Sequence, residues 1–399
     1  MAAGDRRRAH RRALLTGTGF AARRAARLAA VGLLATGVLT ACQESETIED
    51  PACAPAPPPA TGSVEGWIGL LAAHRDTVSL RLDPGLGEAD PGRGEADKRP
   101  KPVEHRSSES GPSASTIKAV HLAAYARAVA EGRLSPDRPV AMSEWERYYF
   151  PADGGAHAAA LDRLGVPAQK TGAAAIATDQ ARTVRLDDVV SAMIRESDDA
   201  AADLVRELVG PEALDAVLRD AGAEHTEVGS LLGMLLAATH PELAGQGAEE
   251  LARRYTSDEA FARTVLTSPA ADLATQQAYV AEHPPRTSAA DLDRVLRAVA
   301  QGAAPGADVA RRHLEWQPAG PDGVRTGFKG GSLPGMVGIG FESVRADGSA
   351  ATGALLVSGL DEPTWTAAQT DPSWQQLVLR AVDDPQLAGR LRCALTGRP

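Results

Sequence analysis

Residues 183–205 read TVRLDDVVSAMIRESDDAAADLV. The stretch predicts a helix over 185–195, a short Glu196-Ser197-Asp198-Asp199 link, and helix again over 200–209. Ala-rich helical sequence surrounds it from 156 to 223. Upstream, STIKAVHLAAYARAVAE (115–131) predicts a strong helix after the Gly111-Pro112 break. Before that, Val78, Leu80 and Leu82 alternate and mark a strand over 76–82. A Gly/Pro/charge loop (83–101) separates it from a weaker strand at 103–109, and residues 63–74 have helical spacing. Downstream, 245–300 is helical, broken around Pro284-Pro285. From 323 the period changes. GVRTGFKGG, MVGIGFESV and AATGALLVSGL are β-rich and are divided by SLPG and RADG turns, which predicts a three-strand meander. A last helix spans 373–395. The order implies an α+β fold. Two early and three late strands share one five-stranded antiparallel sheet flanked by helices, and the helical middle forms a second, all-helical lobe.

Composition sets the function classes. The chain has 399 residues, 43% apolar and 24% charged, which suits a folded domain with a core. The formal net charge is −10. Eight arginines and one aspartate lie in the first 41 residues, so the remainder is near −17. An acidic body without a basic patch excludes nucleic acid as the partner. Asparagine is absent, and only five lysines occur: Lys98, Lys101, Lys118, Lys170 and Lys329. Arginine cannot give up its proton in a protein, whereas lysine can. A lysine kept in a buried motif is therefore a candidate for proton exchange.

The N-terminus predicts export. Residues 1–27 are basic and 28–41 (LAAVGLLATGVLTA) are apolar, which is too short for a comfortable span and right for a signal peptide. Leu39-Thr40-Ala41-Cys42 resembles a lipobox. The reading is a signal peptide over 1–41, lipidation of Cys42, and a Pro-rich tether over 42–61 that holds the 62–399 domain at the outer face of the cell membrane. Arg11-Arg12 also resembles a twin-arginine signal. Cys53 and Cys393 are free to pair in an oxidising compartment.

Three short motifs carry chemistry. Ser115-Thr116-Ile117-Lys118 is S-x-x-K at a helix start, where residues three apart share a face and a hydroxyl can meet an amine. The helix N-terminus favours a developing alkoxide, as an activated serine nucleophile requires. Ser197-Asp198-Asp199 sits between two helices. Lys329-Gly330-Gly331-Ser332 ends a strand. Two of the five lysines thus fall in motifs. No His spacing suits a metal.

In this order the motifs resemble the S-x-x-K, S-D-N and K-T-G triplet of penicillin-binding proteins and class A β-lactamases. The likeness covers about 62–399 and implies a serine β-lactamase-like fold, with an α/β lobe at about 62–135 and 290–399 and a helical lobe at about 136–289. It implies Ser115 as nucleophile, Lys118 as its proton acceptor and Ser197 as the relay to the leaving nitrogen. Asp199, Lys329, Gly331 and Ser332 fall at substrate-binding positions. Lys329 with Ser332 would hold a carboxylate, and the Ser115 and Ser332 amides would form the oxyanion hole. The implied protein is a monomeric serine acyl hydrolase without cofactor or metal, acting on β-lactams, related amides or esters, or cell-wall peptides. Alternatives are a peptidoglycan-acting or biosynthetic esterase or transpeptidase on the same site, and a non-catalytic binding lipoprotein. The first and last helices of the family pack antiparallel, which implies a Cys53–Cys393 disulfide.

The departures matter. Asp199 replaces Asn, cannot donate an amide hydrogen bond and adds negative charge. Gly330 replaces Thr. Arg325-Thr326-Gly327 is a rival third motif; Lys329 is preferred because two strands and a helix follow it after a short SLPG turn. The Glu-x-x-Leu-Asn element that serves class A deacylation cannot exist here. Its nearest echo, Glu242 in His240-Pro241-Glu242-Leu243, reads as a loop carboxylate. Slow deacylation follows. The aromatic run Trp145–Phe150 reads as core.

Overall fold

Val78, Leu80 and Leu82 all point into the core from β1 (Val78–Asp83). With β2 (Val103–His105), β3 (Arg325–Leu333), β4 (Met336–Val344) and β5 (Ala350–Val357) this strand forms one antiparallel sheet in the order β2-β1-β5-β4-β3. The computed structural model describes residues 55–85, 101–283 and 285–397. The leader, Cys42, Cys53, most of the tether and most of the 83–101 loop lie outside the described residues. Among the described residues no helix is long and apolar enough to cross a membrane.

The sheet is the expected one, and the three late strands form its meander. β4 and β5 are buried along their whole length because both faces are covered. On one face Val337, Ile339 and Phe341 pack with Trp67 and Leu71 of α1 (Val64–Ala73) and with helices near the C-terminus. On the other, α2 (Lys118–Ala130) joins the large helical core. That core contains α3 (Ala156–Arg163), α4 (Leu186–Arg195), α5 (Asp199–Val209) and α6 (Ala289–Ala300). β3 is the sheet edge nearest the start of α2.

Several expectations need correction. The last helix is two, α7 (Ser373–Ala381) and α8 (Pro385–Thr396). Pro385 cannot continue a helix but suits the first turn of one. Asp384 caps that turn by accepting from the amides of Gln386 and Leu387. The weak second strand covers Val103–His105 alone. Within the Ala-rich segment, Ala168–Thr171 and Ala174–Ala177 form a hairpin around Gly172, whose φ is +62°. Ser115 precedes the α-helix, in a 3-10 turn over Ala114–Ile117. Cys393 is disulfide-bonded, and its expected partner lies outside the described residues.

Candidate active site

The turn that presents Ser115 is pinned from below. Ser113 donates to the Pro285 carbonyl through its amide (3.1 Å) and its hydroxyl (2.9 Å). Thr116 Oγ1 donates to the Ser113 carbonyl at 2.5 Å. The 3-10 turn then runs into α2, and the spacing of three brings Lys118 Nζ to 2.9 Å from Ser115 Oγ. Lys118 is fully buried. Its nitrogen also lies 2.6 Å from the Ser197 carbonyl, 3.1 Å from Ser197 Oγ and 2.5 Å from Asp199 Oδ1. An ammonium has three protons for these four oxygens, and a neutral amine can accept one from a hydroxyl. The cage can therefore serve either protonation state.

Ser197 joins the two lysines. Its Oγ lies 3.1 Å from Lys118 Nζ and 2.9 Å from Lys329 Nζ. Lys329 reaches in from β3 and also donates to the Gly330 carbonyl at 2.6 Å. Burial pulls the Lys329 amine well below the ordinary lysine range; the Lys118 charge adds to this and Asp199 opposes it. Ser197 has φ +67°, a left-handed backbone on a residue with a side chain. Asp198 follows it as the N-cap of α5, Oδ1 accepting from the Ala201 amide at 2.8 Å.

The other Asp198 oxygen meets a residue that the motifs do not contain. His157, on the first turn of α3, places Nδ1 at 2.6 Å from Asp198 Oδ2 and Nε2 at 3.2 Å from Glu146 Oε1. Burial alone would pull the imidazole down, but the two carboxylates outweigh it and push it up to about 10. Burial likewise pushes Asp198 up, and His157, the Ala201 amide and Lys118 hold it below its ordinary range. Tyr149 stacks on the His157 ring (4.4 Å, 29°) and Trp145 meets its edge. The aromatic run is core, as expected, but core built around a charge.

Along β3 side chains alternate. Lys329 and Gly331 face the Ser115 turn. A Cβ on Gly331 would come within 2.9 Å of the Ser115 and Thr116 amide nitrogens, so only glycine lets the strand lie this close. Ser332 falls on the opposite side. Its hydroxyl accepts from Trp365 Nε1 (2.9 Å) and Gln369 Nε2 (2.8 Å) and donates to the Met336 carbonyl. The structure thus does not bring that hydroxyl to Lys329. Asp199, expected at the substrate, spends one oxygen on Lys118. The rival Arg325 sits at the far end of β3, 3.2 Å from Glu315. Glu242 is exposed in a turn over Pro241–Gln246 and has no hydrogen bond to the site. Among the described residues no His, Cys, Asp and Glu group of three or more could hold a metal ion.

The sequence profile of the beta-lactamase enzyme family matches residues 95–316, more than half of the chain. The match covers Ser115, Lys118 and the SDD turn and ends before Lys329. No curated protein matches. Among solved structures, the chromosome-encoded β-lactamase of Vibrio parahaemolyticus is 13% identical, covers 80% of this chain and 98% of its own, and superposes with a TM-score of 0.50. That likeness is one of fold. A β-lactamase from Sphaerobacter thermophilus (16% identity, 83% and 98% covered, TM-score 0.47) and PBP-A (17%, 84% and 96%, 0.45) are also similar.

Proposed function

This chain belongs to the beta-lactamase enzyme family, and on that premise we propose that it is a serine acyl hydrolase acylated at Ser115. Its substrates are β-lactams or related amides and esters. The observation that carries the reading is the 2.9 Å contact between Ser115 Oγ and the buried Lys118 Nζ. As the Oγ–carbon bond forms, the hydroxyl proton passes to the Lys118 amine. The oxyanion is held by the Ser115 and Ser332 amides. When the intermediate collapses, the C–N bond breaks and Ser197 gives its proton to the leaving nitrogen. Ser197 is reprotonated from Lys118, which donates the proton it took from Ser115. Lys329 donates to Ser197 Oγ at 2.9 Å and so orients the relay hydroxyl. Water then cleaves the ester and frees Ser115. We also propose that the enzyme is exported and anchored through Cys42.

A fluorescent penicillin and a fluorophosphonate, with mass spectrometry of the labelled peptide, test this. Label on Ser115, absent in Ser115→Ala and at least about 10²-fold slower in Lys118→Arg, is the expected result. Arginine keeps the charge but cannot accept the proton. No label with either probe would leave the chain a binding protein on an enzyme fold.

A further inference from the structure

The SDD turn does not hold itself. Ser197 carries its left-handed backbone without glycine's freedom, and such conformations persist only where the surroundings fix them. The turn is gripped at the Ser197 carbonyl by Lys118 (2.6 Å), at the Asp198 amide by the Ala192 carbonyl (3.2 Å), and at the Asp198 carboxylate. One oxygen of that carboxylate caps α5 and the other is taken by His157. We propose that His157 is a positioning residue for the nucleophile's proton relay. It holds Asp198, and so sets where Ser197 Oγ stands between Lys118 and Lys329.

The ring is built for this task. It is wholly buried, and both its nitrogens face carboxylates. Its plane is fixed by Tyr149 on one face and Trp145 at the edge. Its own amide is held by Asp153 Oδ2 at 2.7 Å. The far carboxylate is fixed in turn, because Glu146 also accepts from the Ala177 amide (2.7 Å) and Gln180 Nε2 (2.5 Å). Gln180, Glu146, His157 and Asp198 are thus joined by one run of hydrogen bonds that ends at the SDD turn. His157 touches neither Ser115 nor either lysine, so its effect on chemistry must pass through Asp198. A relay oxygen that works at 2.9 and 3.1 Å is sensitive to a small rotation of the turn, and misplacement of about 1 Å can lower a rate about 10²-fold.

The inference rests on the reading of Ser115 as the acylated serine. The test is stopped-flow acylation by a fluorescent penicillin, resolving the acylation rate constant from the preceding binding constant, on the full chain with active sites titrated. In His157→Gln the rate constant should fall about 10-fold or more with the binding constant nearly unchanged. Glu146→Gln, which touches the ring but not the turn, should lower it less. A purely structural histidine would lower the melting temperature and the active fraction, yet leave the rate constant of the folded fraction at the wild-type value. That result overturns the proposal. Should His157→Gln not fold, the rate constant of Glu146→Gln decides. Wild-type chain that takes no label at Ser115 overturns the underlying reading and this inference with it; normal wild-type labelling with unchanged variants overturns this inference alone.

Discussion

Asp199 Oδ1 lies 2.5 Å from Lys118 Nζ, so the third residue of the SDD motif is turned onto the amine that Ser115 needs. The contact draws the amine's hydrogen-bonding capacity away from Ser115 Oγ, which lies 2.9 Å from the same nitrogen. Asp199→Asn keeps an acceptor at this position and removes the charge. Acylation of Ser115 by penicillin should then speed up by about 10-fold, a barrier change of about 1.4 kcal/mol. Thermal stability should fall, because a buried lysine loses its counter-ion. Stopped-flow labelling and a melting curve check both. Slower acylation in Asp199→Asn would mean that the carboxylate itself takes part in the relay.

Gly331 sets the width of the cleft floor. Its missing side chain lets β3 approach the Ser115 and Thr116 amides, where a Cβ would sit at 2.9 Å from backbone. Backbone cannot yield as a flexible side chain does. Gly331→Ala should therefore push β3 away from the nucleophile, lower stability by about 1–3 kcal/mol and slow acylation by about 10-fold or more. Gly330→Ala is the control. Its Cβ would meet nothing closer than 3.9 Å, and it should leave both quantities near wild type. Equal effects in the two variants would refute the close-approach argument.

Glu342 offers a pH test remote from the site. It is fully buried on β4, and neither carboxyl oxygen has a hydrogen-bond partner. Burial, with the Glu315 charge adding, pushes it up from 4.5 to about 8 against Arg311 and Arg325. The folded state thus holds a proton that the unfolded chain releases. The stability tied to that proton is complete below about pH 4.5 and is lost as the pH rises through about 8. Glu342→Gln has no such proton to lose. Its melting temperature should gain on wild type steadily between about pH 4.5 and about pH 8 and level off above that. The other titrating groups are common to both chains and cancel. A difference that does not change with pH would show that Glu342 titrates as an ordinary carboxylate.

The fold was legible where a local pattern carried it. The alternation of Val78, Leu80 and Leu82, and the SLPG and RADG turns, mark strands because their period and punctuation are local. The hairpin at 168–177 was hidden because alanine favours helix, and strand pairing there overrides that preference. The break at Asp384-Pro385 was readable as a cap followed by proline, but the apolar spacing on either side masked it. In the site, the spacing from Ser115 to Lys118 is local and legible. The side of β3 that Ser332 occupies follows from period two, counted from Lys329. His157 carried no signal. It meets Asp198 across 41 residues, and a contact that distant leaves no trace in either segment's pattern.

The last prediction concerns turnover. Hydrolysis of the acyl-enzyme needs a base that orients and deprotonates water beside the Ser115 ester. Among the described residues, the SDD turn brings two carboxylates closest to Lys118, and both have partners. Asp198 divides its oxygens between His157 and the Ala201 amide, and Asp199 is held by Lys118. Glu242 is exposed and makes no hydrogen bond to Ser115 or Lys118. A missing general base lowers a rate by about 10²–10⁴-fold, or about 3–5 kcal/mol of barrier. Penicillins should therefore give a burst of one equivalent followed by slow turnover, with an adduct on Ser115 that mass spectrometry detects after a short incubation. Small activated esters should be turned over faster than penicillins, because their acyl groups leave more room for water. Asp199→Asn should not abolish the residual turnover if Asp199 serves only Lys118. Rapid, burst-free hydrolysis of penicillin by the wild type would overturn the prediction. Turnover that then vanished in Glu242→Gln would identify that carboxylate as the base.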